Sequence, residues 1–414
     1  MNEAHELSIH YIKFNMDELV RRAAESVGLT SAQCASVEKF SDGMYNKTFL
    51  FIMDDGTQVV GKVPNPNAGR AHYTTANEVA TMDFARNELH NRVPKVPAWS
   101  SKAGDNSVGA ENIIMKKVAG VQLSELWLAM GIKERFEVVK TISEGSIGCD
   151  LLNEDGSRTQ HHRYAIDPST GREFLDDGRT ALEFDRGPWQ SAEQYRSAVN
   201  LQEIAYLRIM KYLLPTDASI TPAILWHPNL HTENIFVHPE RPAEVSGIID
   251  WQLSEILPLF EHARQPYFLD YDGPALTGLD PPDFPANFNK LSPSEKAKAQ
   301  DLYLKMSLSA LYRRFTYSTN RTLYNAIKFR ESTSFDMLFL AQNLLIDGEA
   351  LGMELMQSLK QSLGQMWPEK GTVRADQYDD VKGLLRQAKA DLIDQLAHSE
   401  AEVVAWGKAW PFDS

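Results

Sequence analysis

Two cysteines in 414 residues, Cys34 and Cys149, are too few for a disulfide framework or a thiolate metal set, and lone thiols of this kind fit a reducing compartment. The eleven histidines show no HExxH or comparable spacing, so no zinc centre is expected. Basic residues are scarce. Lys and Arg number 42 against 56 Asp and Glu, a formal charge of −14, which argues against nucleic acid or an anionic membrane surface as a partner. An acidic surface suits a cationic small substrate, but it is also a plain solubility device, and that second reading is the simpler one. No apolar run reaches membrane-spanning length, and Met1 to Tyr11 carries neither an apolar h-region nor an Arg- and Ser-rich stretch. A soluble, cytoplasmic chain without signal or transit peptide is therefore expected. Internal repeats, low-complexity tracts and a Walker A phosphate loop are also missing.

What is present reads as an α+β protein of two lobes. Hydrophobic content of 43% and charged content of 24% are ordinary for a globular chain, and the length exceeds what one simple core needs. Asp17 to Val27 puts Leu19, Val20, Ala23, Ala24 and Val27 on one helical face, with Gly28 as the stop. Strand-like runs follow at Ser36 to Phe40, Lys47 to Met53 and Thr57 to Val63, the last two joined by the turn Asp54-Asp55-Gly56. A helix from Asn77 to about Leu89, a loop with Pro94 and Pro97, a strand from Asn112 to Met115 and a connector from Lys116 to Gly120 complete a first lobe, residues 1–118.

From Val121 onward, within 119–414, the pattern is mostly helical, with apolar stripes at Phe136, Val139 and Ile142 and at Ile204, Leu207 and Met210. Residues 153–190 are polar, Gly-punctuated and dotted with aromatics, which reads as an insertion lying over a cleft. Ser292-Pro293-Ser294-Glu295 is a capping box with Pro at the first helical position, opening a terminal helical bundle over 291–414 after the Pro-rich stretch Asp280 to Pro285.

The chemistry is concentrated at 227–250. His227-Pro228-Asn229-Leu230-His231-Thr232-Glu233-Asn234 leads into Ile235-Phe236-Val237, and a short loop later comes Ile248-Ile249-Asp250-Trp251. An amide oxygen at Asn234 and a carboxylate at Asp250, sixteen residues apart on adjacent strands, form an oxygen donor pair suited to Mg²⁺. Phosphoryl transfer asks for such a clamp and an oriented acceptor more than for covalent help. Each residue alone is what any polar loop or strand end shows; it is their order after a small-lobe pattern that is specific.

These segments resemble the catalytic loop and Ile-Asp-Trp metal motif of the aminoglycoside phosphotransferase and choline-kinase family, which has a bilobal protein-kinase-like fold. More narrowly, the chain is similar to the fungal phosphotransferase-like group named for altered inheritance of mitochondria. Matching stretches include Tyr73 to Phe84, Val108 to Met115, Phe184 to Trp189 and Phe268 to Pro274. The resemblance implies ATP and Mg²⁺ as cofactors, a small-molecule substrate, and a possible mitochondrial location. It places Lys62 at the phosphate-binding lysine and Glu78 at its helix partner, with Ser41 and Gly43 in the loop over the phosphates and Met115 and Lys117 along the nucleotide. Read locally, Lys62 is a solvated strand lysine, Thr75-x-x-Glu78 is itself a capping box, and 41–47 is only a turn. The ion pair is the favoured reading of Lys62 and Glu78. Asp185, Trp189, Asp270 and Asp272 are weaker candidates for lining the acceptor site, with loop anchoring and turn formation as the alternatives.

The chain departs from that family at Asn229, where the family has the catalytic Asp. An amide can hydrogen-bond the acceptor hydroxyl but cannot take its proton. Loss of a general base costs on the order of 10²–10⁴-fold. His231 and Glu233 are conceivable substitutes, although a histidine at 231 is usual beside an intact Asp and Glu233 reads as a surface carboxylate. The leading expectation is an ATP- and Mg²⁺-dependent phosphotransferase weakened by Asn229. The alternatives are a pseudokinase binding module and a kinase fold recruited to other chemistry in a biosynthetic pathway. Acceptor and oligomeric state are not legible.

Overall fold

The computed structural model describes residues 11–144, 164, 168–172, 185–199, 210, 212–276, 278–339 and, near the C-terminus, 382, 383, 386, 387 and 390. The chain forms two compact units, Met1–Ala181 with Ala218–Ile327, and Leu182–Asp217 with Lys328–Ser414.

The first unit opens with α1 (Met16–Glu25). The Asn15 side chain accepts from the Glu18 amide at its start, Arg21 bridges Glu18 and Glu25 on the outer face, and Gly28 takes a positive φ of 82° just beyond its end. Its inner face, Leu19, Ala23 and Ala24, is wholly buried against Phe49, Phe51, Met53, Val59 and Val63. Those residues belong to β2 (Asn46–Met53) and β3 (Gln58–Pro64), which follow β1 (Cys34–Lys39) and are joined by a hairpin in which Asp55 caps the Thr57 amide. Next come α2 (Tyr73–Asn87), β4 (Ala98–Ser100) and β5 (Asn112–Lys116). The strands form one antiparallel sheet in the order β1-β2-β3-β5-β4, with Thr48 opposite Lys62 and Val60 opposite Met115.

Helix α2 starts four residues before the expected Asn77. No side chain caps it; its first turn is set instead by His72, whose amide donates to Glu111 Oε1 and whose ring meets Ser101 Oγ at 2.7 Å. The Thr75-x-x-Glu78 capping box is consequently not made. Thr75 lies inside the helix, buried, and Glu78 is turned inward.

Beyond the sheet the described chain is mainly helical, as expected, with short strands set between the helices. The order is β6 (Val121–Gln122), α3 (Leu123–Trp127) and α4 (Ile132–Glu144), then α5 (Ala192–Val199) in the second unit. After it come β7 (Ala223–Trp226), β8 (Ile235–His238), β9 (Arg241–Ile248), β10 (Glu255–Pro258) and α6 (Leu259–His262). Long α7 (Pro293–Thr319) and α8 (Arg321–Arg330) follow. β6, β8 and β9 form a three-stranded antiparallel sheet, and β7 pairs with β10. Gly120 brings the connector into that sheet at φ 92°, where a Cβ would run into the Val237 carbonyl. Val138 and Val139 of α4 are buried, whereas Phe136 is only half-buried. The capping box at α7 is formed, Ser292 and Glu295 each satisfying the other's amide.

In the second unit α5 buries Tyr195, Arg196 and Ala198, and Arg196 donates to the Leu338 carbonyl. Of the second expected stripe, Met210 is buried, while 204 and 207 lie outside the described residues, as does most of the 153–190 insertion and the terminal bundle beyond 339, apart from isolated positions.

Candidate active site

Three elements converge on one ammonium group. Lys62 points inward from β3 and is 5% exposed; Glu78 faces it from α2 at 1% exposed. Lys62 Nζ donates to both Glu78 oxygens, at 2.7 and 2.8 Å, and to Asp250 Oδ1 at 3.0 Å. Burial works against the charge on Lys62, but the two carboxylates outweigh it and lift its pKa above the ordinary lysine value. Burial also works against the Asp250 carboxylate, and Lys62 nonetheless holds it below the usual carboxylate range. Glu78 lies above that range because of its burial. A capping-box glutamate would be solvated at the helix end; this one instead fixes a lysine inside the fold.

The loop after β7 is built around a neutral histidine. His227, buried, lies close to the Ile249 carbonyl through Nε2 at 2.9 Å, and its Nδ1 accepts from the Asn229 amide at 3.2 Å. Those two partners assign the proton to Nε2. Burial depresses its pKa, which agrees with a neutral ring. Asn229 is thereby held with its Nδ2 3.5 Å from Asp250 Oδ2. Asn234 donates its Nδ2 to the Asn229 carbonyl at 2.8 Å, which leaves its Oδ1 as the acceptor end of the amide. Lys62, Glu78, Asn229, Asn234 and Asp250 thus form one connected cluster. Asn234 and Asp250 offer oxygen donors of the kind Mg²⁺ prefers, and the long Asn229 contact leaves Asp250 Oδ2 with capacity to spare. Among the described residues no group of three or more His, Cys, Asp and Glu is placed to hold a metal, so phosphate and water oxygens would have to complete such a site.

Two residues beside Asp250 hold it in place: Trp251, the last residue of the Ile-Asp-Trp motif, and Gln252, which sequence reasoning did not name. Trp251 is 1% exposed and packs with Val79, Met82, Ala85, Ile113 and Met115, locking the Asp250 segment onto α2 and β5. Gln252 donates to the Ala68 carbonyl at 2.7 Å and accepts from Asn46 Nδ2 at 2.8 Å, clipping the same segment to β2 and the loop after β3. No local signal points to Gln252, since its partners lie about 200 residues away in the chain.

The remaining sequence candidates stand apart from the cluster. His231 is half-buried with its ring stacked on Tyr267 at 4.7 Å, and Glu233 is exposed. Ser41 and Gly43 lie in an exposed loop whose Asp42 pairs with Lys39 and Lys47. Met115 is part of the Trp251 core, and Lys117 is half-buried with its amide donating to Gln58. Asp270 is exposed and accepts from Gln265; Asp272 is exposed in the following turn. Asp185 closes a turn on the Gly187 amide, and Trp189 packs edge-on to Tyr195, both within the second unit. Of the insertion, Tyr164 packs on Phe84, and Arg172 lies over the Tyr45 ring and donates to the Asn67 carbonyl.

The model of the phosphotransferase enzyme family matches residues 36–261, more than half of the chain. A subtelomeric hrmA-associated cluster protein of Aspergillus fumigatus is 27% identical over 370 residues, covering 71% of this chain and 72% of that one. The mitochondrial altered inheritance of mitochondria protein 9 of Saccharomyces cerevisiae is 23% identical, covering 66% of this chain and 55% of its own length. Among solved structures, an amicoumacin kinase in complex with AMP-PNP and Ca²⁺ aligns at TM-score 0.37 and 13% identity, over 94% of this chain and 96% of that one.

Proposed function

Since the chain belongs to the phosphotransferase enzyme family, we propose that it binds ATP with Mg²⁺ and transfers the terminal phosphoryl group to a hydroxyl of a small molecule, slowly because Asn229 replaces a base. The nucleotide side is residues 1–118 and the acceptor side 119–414. The observation that supports this reading is the buried contact of Lys62 with Glu78 and Asp250, a fixed cation beside a carboxylate able to ligate a metal.

In this reading Lys62 neutralises phosphate charge and Glu78 keeps it from swinging away. Asn234 Oδ1 and Asp250 would hold the metal, which when bound would supply positive charge beside the phosphate oxygens. Asn229 orients the acceptor hydroxyl through a hydrogen bond, and the hydroxyl proton has no carboxylate to receive it at that position. The same residue favours a second reading, in which the cleft binds nucleotide for regulation and turns it over negligibly.

Thermal shift with AMP-PNP, with and without Mg²⁺, tests the proposal. Nucleotide at 100-fold its Kd stabilises by about 2.7 kcal/mol, and the rise should need Mg²⁺ and shrink in Lys62→Ala. A chain whose melting is indifferent to nucleotide under all these conditions does not have this function.

A further inference from the structure

A cavity of about 400 Å³ lies within the first unit, lined from β7, the catalytic loop, the segment after α6, and α7. That size is in the range that holds a small organic molecule, roughly 300–1,000 Å³. We propose that it is a second ligand site, behind the catalytic loop, for a small aromatic molecule bearing one carboxylate. This proposal is independent of the nucleotide reading.

The walls define the body of the ligand. Trp226, Tyr267 and Tyr312 line the cavity, and two of these rings are held by partners: Trp226 lies parallel to His262 at 6.1 Å, and Tyr267 to His231 at 4.7 Å. Rigid aromatic faces of this kind favour a flat ring, which stacks at little ordering cost. The charge follows from the lining. Among the described lining residues there is no Asp or Glu, and Arg264 is the single charged one, His227 being neutral. Arg264 is exposed, lies over the Tyr267 ring at 5.2 Å, and bonds the Tyr267 hydroxyl. Among the described residues no carboxylate pairs with it. A guanidinium with no carboxylate partner, next to an aromatic wall, suits a ligand carboxylate and repels a cationic ligand.

The site has a mechanical link to the cluster. Pro228 and Leu230 line the cavity on either side of Asn229 in the chain, while Asn229 itself is directed at Asp250. An occupant would therefore press on the backbone that positions Asn229, without entering the nucleotide side.

Isothermal titration of the full chain with indole-3-acetate and with tryptamine tests this, because the two share a ring system and differ in charge. Indole-3-acetate should bind one site, at least tenfold tighter than tryptamine. Arg264→Gln, a change at an exposed position, should erase that preference by weakening the acid alone. Trp226→Leu should weaken indole-3-acetate. Equal binding of both probes, an Arg264→Gln variant that keeps the preference, or no binding of indole-3-acetate, phenylacetate or benzoate at millimolar concentration would each overturn the proposal.

Discussion

Replacing Asn229 by Asp sets a second carboxylate about where the amide now lies, 3.5 Å from Asp250 Oδ2. At an effective dielectric of about 20, two negative charges at that distance repel by about 5 kcal/mol. Lys62, 3.0 Å from the other oxygen of Asp250, offsets part of this. A net destabilisation of about 1–3 kcal/mol at neutral pH is expected, a fall in Tm of several degrees. The sign with pH follows from proton binding. The repelling pair has a raised pKa in the folded state, so it holds a proton at acidic pH, and the penalty appears as pH rises through that value. Mg²⁺ with AMP-PNP should remove the penalty, since a divalent cation between the carboxylates turns their repulsion into ligation. On the proposed function the same variant would supply the missing base and should raise ATP turnover by one or more orders of magnitude over the wild-type chain. Differential scanning calorimetry from pH 4 to 8 and a coupled ADP assay measure the two effects. An Asp variant as stable as wild type at pH 7 with no response to Mg²⁺ would refute the geometry. Normal destabilisation without any gain in turnover would refute the role of the position in proton removal.

Lys62→Ala leaves Glu78 buried without its counter-ion and should cost about 3–5 kcal/mol by urea denaturation, whereas Lys62→Met combined with Glu78→Gln should cost distinctly less; equal losses would mean the pair is not buried as seen. His227, with its pKa depressed by burial, contributes stability that is present above about pH 6.5 and lost as pH falls toward its folded pKa. His227→Gln should flatten that part of the pH–stability curve, and an unaltered curve would put the neutral histidine in doubt. Gly120→Ala should destabilise by about 3 kcal/mol or more, because both its φ and the Val237 carbonyl exclude a Cβ; a wild-type melting temperature would contradict the β6–β8 pairing.

Much of the first sheet was legible because its signals are local. Gly28 stops α1, Asp54-Asp55-Gly56 turns β2 into β3, and Ser292 with Glu295 opens α7, each within a few residues. The strands β4, β6, β7 and β10 were not legible, being two to four residues long with too little alternation to show a period. The start of α2 was misplaced for a different reason. Its first turn is set by Glu111 and Ser101, 39 and 29 residues away, and the nearby Thr75–Glu78 pattern mimics a cap that tertiary contacts override. In the candidate site, the spacing pointed to Asn234 and Asp250, and the family resemblance pointed to Asn229, Lys62 and Glu78. Gln252 and the cavity behind the loop had no such pattern, since both are assembled from distant stretches of chain.

The four residues from Asp250 to Leu253 begin and end in the left-handed region, at φ 63° and 60°. Asp tolerates that conformation better than most residues, and a leucine there is an outlier. Such a segment departs from its own resting shape and stays so only while its surroundings hold it. Trp251 and Gln252, between the two outliers, are the fasteners, one driven into the core and the other tied at both ends to the first sheet and its loop. The position of the Asp250 carboxylate is thus maintained like a spring under a catch. Releasing the catch with Gln252→Ala touches no chemical group of the cluster, yet it should let the backbone relax and draw the carboxylate away from Lys62.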